Sequence, residues 1–212
     1  MKKCVIFCAG AFDALAGAPN ETDLIIAADG GFLHTQRLGL TPDVVLGDFD
    51  SLGYVPEGAV VFPVEKDDPD SMLAVREGLN RGCREFLLYG CLEGKRLDHT
   101  VANFQTLQFL ADQGAYGYLI GKDYIVTVVK NGCLEFSCAA EGVLSLFCMG
   151  KDAEGVTIKG LQYPLEQGTL TAGLPLGVSN HFIGENAKIT VENGSLLAIW
   201  DRKNGFPNRK DV

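Results

Sequence analysis

Five short apolar runs constrain this chain more than any other feature: Cys4 to Ala9, Leu24 to Ala28, Val44 to Leu46, Glu85 to Tyr89 and Tyr116 to Ile120. The first four stop at Gly10, Asp29-Gly30-Gly31, Gly47 and Gly90. Runs that are apolar throughout, with no polar alternation, belong to strands covered on both faces. Such a sheet needs helices on either side, and the intervening stretches can supply them. Phe32 to Leu38 is helix-compatible, as is a short stretch between the first two runs. A longer helix is predicted from Pro69 to Arg81 with Met72, Val75 and Leu79 on one face. Another opens near Asp98, with Val101, Phe104, Leu107 and Leu110 recurring along it. Ala59 to Val64 reads as a further strand. Strands alternating with helices predict an α/β domain with a mostly parallel, doubly wound sheet and helices on both faces.

After Tyr124 the helical period disappears. Ile125 to Val129, Cys133 to Ser137, Gly142 to Cys148, Val156 to Lys159, Thr169 to Ala172, Lys188 to Val191 and Leu196 to Trp200 are short strand-like runs. Asn131-Gly132 and Asn193-Gly194 punctuate them as hairpin turns would. The expectation is therefore an all-β sandwich over residues 125–212, following an α/β domain over residues 1–124.

A formal charge of −9 argues against a nucleic-acid or anionic-membrane partner, since both are held largely by Lys and Arg. A metal-bound nucleotide stays open, because the cation offsets the charge locally. Seven scattered cysteines without a CxxC pair read as reduced thiols in a cytoplasmic protein. No apolar run is long enough to span a membrane as a helix.

Ligands of an open parallel sheet bind where the strands end. Four polar clusters fall there: Asp29-Gly30-Gly31, Gly47-Asp48-Phe49-Asp50-Ser51, Lys66 to Asp70, and Gly94 to His99. If the backbone is extended, Asp48 and Asp50 face one way and Phe49 the other. Two adjacent carboxylates invite a hard cation such as Mg²⁺, which brings phosphates with it. Each cluster also has a plainer reading. The aspartates can cap a turn, Gly30 and Gly31 can serve a tight bend, and Asp68 can be an N-cap ahead of Pro69. Arg96 is either a solvated loop charge or a fork for phosphate oxygens. Asp98 can be another N-cap, His99 a surface residue and His34 a structural one.

In this order the clusters resemble the thiamine pyrophosphokinase family, whose pattern runs through Asp-Gly-Gly, Pro-Asp, Gly-Asp-x-Asp-Ser, Lys-Asp-x-Thr-Asp and Arg-x-Asp-His. Here these are Asp29-Gly30-Gly31, Pro42-Asp43, Gly47 to Ser51, Lys66 to Asp70 and Arg96-Leu97-Asp98-His99. The likeness continues through Gly160 to Leu165 and Gly177-Val178-Ser179-Asn180. It implies transfer of an intact pyrophosphoryl group from ATP to the hydroxyl of thiamine, giving thiamine diphosphate and AMP. It further implies a nucleotide-holding α/β domain and a homodimer with thiamine at the subunit interface.

By that resemblance Asp48, Asp50 and Asp70 hold Mg²⁺, and Asp29, Gly30, Gly31, Lys66 and Arg96 meet the nucleotide. Asp98 orients the thiamine hydroxyl or a second metal, and Ser179 and Asn180 meet thiamine. Trp200 either stacks on thiamine or lies in the core. Pro69 in place of threonine and Lys95 in place of a second glycine depart from the pattern. A pyrophosphokinase or kinase for another small alcohol, such as a pterin, would show the same rim chemistry. A non-catalytic nucleotide or thiamine sensor would have less need of the carboxylates.

Overall fold

The computed structural model describes residues 2–211 apart from Lys66 and Lys95, and only the backbone of Asp211. The chain divides into two compact units, Met1–Lys122 and Asp123–Val212. The first contains β1 (Lys3–Phe7), β2 (Leu24–Ala28), α1 (Gly31–Arg37), β3 (Val44–Gly47), β4 (Val60–Val61), α2 (Asp70–Asn80), β5 (Glu85–Tyr89), α3 (Leu97–Asp112) and β6 (Tyr116–Ile120). Its strands are all parallel, in the order β6-β5-β1-β2-β3-β4. The chain leaves β1 toward β2, then returns to the opposite side of β1 with β5. That reversal opens a crevice at the carboxyl ends of β1, β2 and β5.

The apolar runs are strands because nearly every side chain in them is buried; in β1, β5 and β6 the last four residues are all inside. Burial on both faces removes the alternation that a half-exposed sheet would show. Three local expectations change. The expected strand at Ala59 to Val64 shrinks to Val60–Val61, because Pro63 has no N–H to continue the ladder at this sheet edge. No helix forms between β1 and β2, where Gly17 and Pro19 interrupt the chain. In α2 the buried face is Ser71, Ala74, Val75 and Gly78, with Met72 and Leu79 only half-buried. Small residues win that face because a Cβ at Gly78 would lie 2.5 Å from Phe86 Cε1 and 2.9 Å from Cys4 Sγ.

The second unit holds β7 (Tyr124–Phe136), β8 (Val143–Cys148), β9 (Ala153–Lys159), β10 (Leu165–Leu170), β11 (Asn180–His181), β12 (Ala187–Asp201) and β13 (Asn208–Asp211). β12 pairs antiparallel with β7 along nearly its whole length. Its other edge is shared, with β9 on the first half and β8 on the second. One long strand thus serves both layers of the sandwich. Inside lie Trp200, Ile125, Leu134, Leu144, Val156, Ile189 and Leu196, all buried.

The two Asn-Gly pairs are not hairpin turns. Each lies inside a long strand, and the ladder shifts register between Val191 and Ser195. Asn131 adopts a left-handed φ of 44°, and its Oδ1 accepts the Gly194 N–H at 2.9 Å. The same residues that suit a type I′ turn also suit a bulge, because both need positive φ. Among the described residues no helix is long and apolar enough to cross a membrane. All seven cysteines are free thiols, Cys138 exposed and the rest buried or half-buried.

Candidate active site

A cleft of about 1200 Å³ opens in the first unit at the carboxyl ends of its strands. The segment after β1 (Cys8 to Ala11), the end of β2 (Ala28, Asp29) and the turn after β5 (Gly90, Cys91) line it. Asp48, Asp68 and Asp70 line one part, and Arg96, His99, Thr100 and Asn103 another. The last four are spaced i, i+3, i+4, i+7, so the entry to α3 presents one polar face to the cleft.

Three carboxylates converge. Asp29, Asp48 and Asp50 each offer an oxygen within 4.8 Å of the other two. Asp48 and Asp50 were expected together, but the backbone between them is not extended: Phe49 has a left-handed φ of 60°. Burial of the Phe49 ring fixes that turn, whose next residues close it with N–H bonds from Leu52 and Gly53 to the Phe49 carbonyl. The Asp50 N–H also donates to Asp48 Oδ1 at 3.3 Å. Turn capping and carboxylate clustering therefore coexist in one segment.

Asp29, expected at the nucleotide, lies in this cluster and lines the cleft. Its φ is 48°, its N–H donates to the Leu46 carbonyl at 2.8 Å, and Gly47 allows the approach. A Cβ on Gly47 would come within 3.1 Å of the Asp29 backbone. The Ser51 hydroxyl donates to Asp29 Oδ2 at 2.6 Å, while Oδ1 is buried with no hydrogen-bond partner among the described residues. A buried carboxylate oxygen left without a donor is costly unless a cation meets it. An all-oxygen set of this kind fits a hard divalent ion such as Mg²⁺. Asp70, the first residue of α2, lines the same cleft but is not one of the three converging carboxylates.

Gly30 and Gly31 are buried and do not line the cleft. Gly31 is needed because a Cβ there would sit 1.9 Å from the Phe7 carbonyl oxygen, so it packs α1 onto β1. The N-cap of α2 is Pro69, one residue later than expected, and the Asp68 carboxylate instead meets Arg76 at 2.7 Å. α3 likewise begins at Leu97 with Arg96 as its N-cap, which leaves Asp98 inside the first turn. His34 donates from Nε2 to the Gly10 carbonyl at 2.8 Å, a structural role. Lys66 and Lys95 lie outside the described residues.

Arg96 and Asp98 hold each other through a forked contact, Nη2 to Oδ2 at 2.5 Å and Nε to Oδ1 at 2.9 Å. The hydrogen bond from Arg96 draws the Asp98 carboxyl down to about 2 and raises the guanidinium further. Arg96 lines the cleft, and both side chains are well exposed. The Cys8 thiol also lines the cleft, but contact with Cys91 and then burial push its pKa well above the usual thiol value. It is therefore uncharged at neutral pH and not an activated nucleophile.

In the second unit Asn180 is buried and occupied. It accepts the Tyr163 N–H at 2.9 Å and donates to the Tyr163 carbonyl at 2.8 Å, so it ties the Gly160 to Leu165 loop to β11. Ser179 is exposed with a φ of 59°. Trp200 is 1% exposed, donates its indole N–H to the Gly205 carbonyl at 2.9 Å and meets Phe136 edge-on. Of its two expected roles, burial gives it the core one.

Two family models match the chain. Thiamin pyrophosphokinase, catalytic domain, covers residues 18–116, and Thiamin pyrophosphokinase, vitamin B1 binding domain, covers residues 135–196. The chain is 26% identical over 196 residues to thiamine pyrophosphokinase of Bacillus subtilis (strain 168), spanning 87% of this chain and 90% of that protein. The crystal structure of thiamine pyrophosphokinase from Bacillus subtilis superposes with a TM-score of 0.83 at 24% identity, covering 94% of this chain and 99% of that one. Yeast thiamin pyrophosphokinase has the same fold, with a TM-score of 0.70 at 15% identity over 94% of this chain and 86% of that one.

Proposed function

The chain belongs to the thiamin pyrophosphokinase family, and from that premise we propose that it moves the pyrophosphoryl group of ATP onto thiamine, giving thiamine diphosphate and AMP. The observation that carries the reading to this chain is the convergence of Asp29, Asp48 and Asp50 on one rim of a cleft that also holds Arg96. A kinase for another alcohol would share this rim, but both family models are those of thiamin pyrophosphokinase. A pure sensor would have less need of a buried carboxylate oxygen held without a donor.

Transfer of an intact pyrophosphoryl group requires that the thiamine hydroxyl oxygen bond to the β-phosphorus. The bridge between the α- and β-phosphates breaks, its oxygen leaves with AMP, and the hydroxyl proton is released. Asp29, Asp48 and Asp50, with Asp70, are the residues that would hold Mg²⁺, which when bound offsets the charge of the phosphate oxygens. Arg96 supplies a planar cation for the transferred group or for departing AMP. With its carboxyl drawn down to about 2, Asp98 is a weak proton acceptor. Orienting the hydroxyl, or the Arg96 fork, suits it better than general base catalysis. Lys66 belongs to the nucleotide set by resemblance, and Ser179 to the thiamine set.

The unit assignments follow: residues 1–124 carry nucleotide and metal, and residues 125–212 contribute to thiamine binding and to a homodimer. Seven free thiols support a cytoplasmic setting. Incubating the protein with Mg²⁺, ATP and thiamine and resolving the products tests the reaction. AMP with thiamine diphosphate is the expected outcome, and ADP with thiamine monophosphate sinks it. Asp48→Asn and Asp50→Asn should each abolish most turnover at saturating Mg²⁺.

A further inference from the structure

α2 and α3 are joined at the cleft by a buried chain of hydrogen bonds. The Ser71 hydroxyl donates to Asn103 Oδ1 at 2.8 Å, and Asn103 Nδ2 donates to the Cys91 carbonyl at 2.8 Å. Ser71 is 8% exposed and Asn103 6%, and all three residues line the cleft. Ser71 directly follows Asp70 in the first turn of α2, so whatever fixes Ser71 fixes the root of the Asp70 side chain. Asn103 lies on the α3 face that begins at Arg96 and continues through His99 and Thr100. Thr100 anchors that face to the same loop, donating from Oγ1 to the Leu92 carbonyl at 3.3 Å.

We propose that Asn103 is a positioning residue: through Ser71 it sets Asp70 at a fixed distance from Arg96 across the cleft. This rests on the reading of the cleft as a metal-nucleotide site. An amide suits the task because one planar group accepts from one element and donates to another, holding three segments in one geometry. A leucine of similar volume would fill the space and leave both the Ser71 hydroxyl and the Cys91 carbonyl without their partner. Groups that orient a metal-binding carboxylate from behind typically change metal affinity by about 10–100-fold when removed.

The test uses the full chain with Mn²⁺ and ATP but no thiamine, so that binding is read by the electron paramagnetic resonance of free Mn²⁺ without turnover. Wild type, Asn103→Ala, Ser71→Ala, Ser71→Thr, Asp70→Asn and Asp70→Asn/Asn103→Ala are compared. Expected are about 10-fold weaker Mn²⁺ retention in Asn103→Ala and a smaller loss in Ser71→Ala. Ser71→Thr, which keeps the hydroxyl, should be near wild type, and the double variant no worse than Asp70→Asn alone. Unchanged retention in Asn103→Ala and Ser71→Ala, or additive losses in the double variant, overturns the proposal. Should Asn103→Ala fail to fold, Ser71→Ala against Ser71→Thr decides it. Absence of Mn²⁺·ATP binding by wild type overturns the site reading itself. Binding without production of AMP from ATP and thiamine leaves the positioning role standing and removes only the reaction.

Discussion

Asp29 is the residue whose surroundings say most about the chemistry. Its left-handed backbone turns the carboxylate toward Asp48 and Asp50, Ser51 saturates one oxygen, and the other is buried without a donor among the described residues. Asp29→Asn should therefore lower kcat/KM by more than about 100-fold, as loss of a preorganised charge-handling group does, and raise the Mg²⁺ needed for half-maximal rate. Steady-state assays across Mg²⁺ concentration check this; a rate within about 3-fold of wild type would remove Asp29 from the metal set. Asp98 carries a pH prediction. Its folded value is depressed, so the Arg96 pairing is fully present above the ordinary carboxylate range and is lost as pH falls through about 2. Carbon-detected NMR should show the Asp98 carboxyl titrating near 2, and Arg96→Ala should return it to the ordinary range. Both aspartates sit in motifs visible in the sequence, but which partner each meets depends on backbone angles that no local pattern specifies.

At the scale of elements, the parallel strands were legible because burial on both faces leaves an uninterrupted apolar run, as in Glu85–Tyr89. Helix faces were less so. In α2 the apolar positions Met72 and Leu79 advertise one stripe, whereas close approach to β1 and β5 selects Ala74, Val75 and Gly78. The two Asn-Gly pairs of β7 and β12 look like turns in the sequence but form a bulge, since Asn-Gly suits positive φ in either setting and only the cross-strand partner distinguishes them. Asn131→Ala should cost about 2 kcal/mol, combining a left-handed alanine with one lost hydrogen bond. Asn131→Gly should cost less, because it relieves the backbone and loses only the bond. Urea unfolding midpoints at constant slope measure both, and equal costs would mean that the backbone angle is irrelevant.

For the whole molecule, the first unit by itself contains the cleft and its converging carboxylates. Hydrogen exchange with Mg²⁺ and a non-hydrolysable ATP analogue should slow amides in residues 8–11, 29–31 and 90–100 while leaving β7 and β12 unchanged. Protection confined to the second unit would refute that assignment. Light scattering should give a mass near twice 22.8 kDa for the proposed homodimer. Much of the protein was already written in its order of residues: strand runs, the change of pattern after Tyr124, and acidic motifs at strand ends are local properties, set by side-chain burial and turn chemistry. Tertiary structure alone decided that Asp29 joins Asp48 and Asp50, that Asn103 reaches Ser71 and Cys91, and that Trp200 is core. Those outcomes depend on contacts between segments far apart in the chain, and packing, not local preference, chooses among the conformations each segment allows.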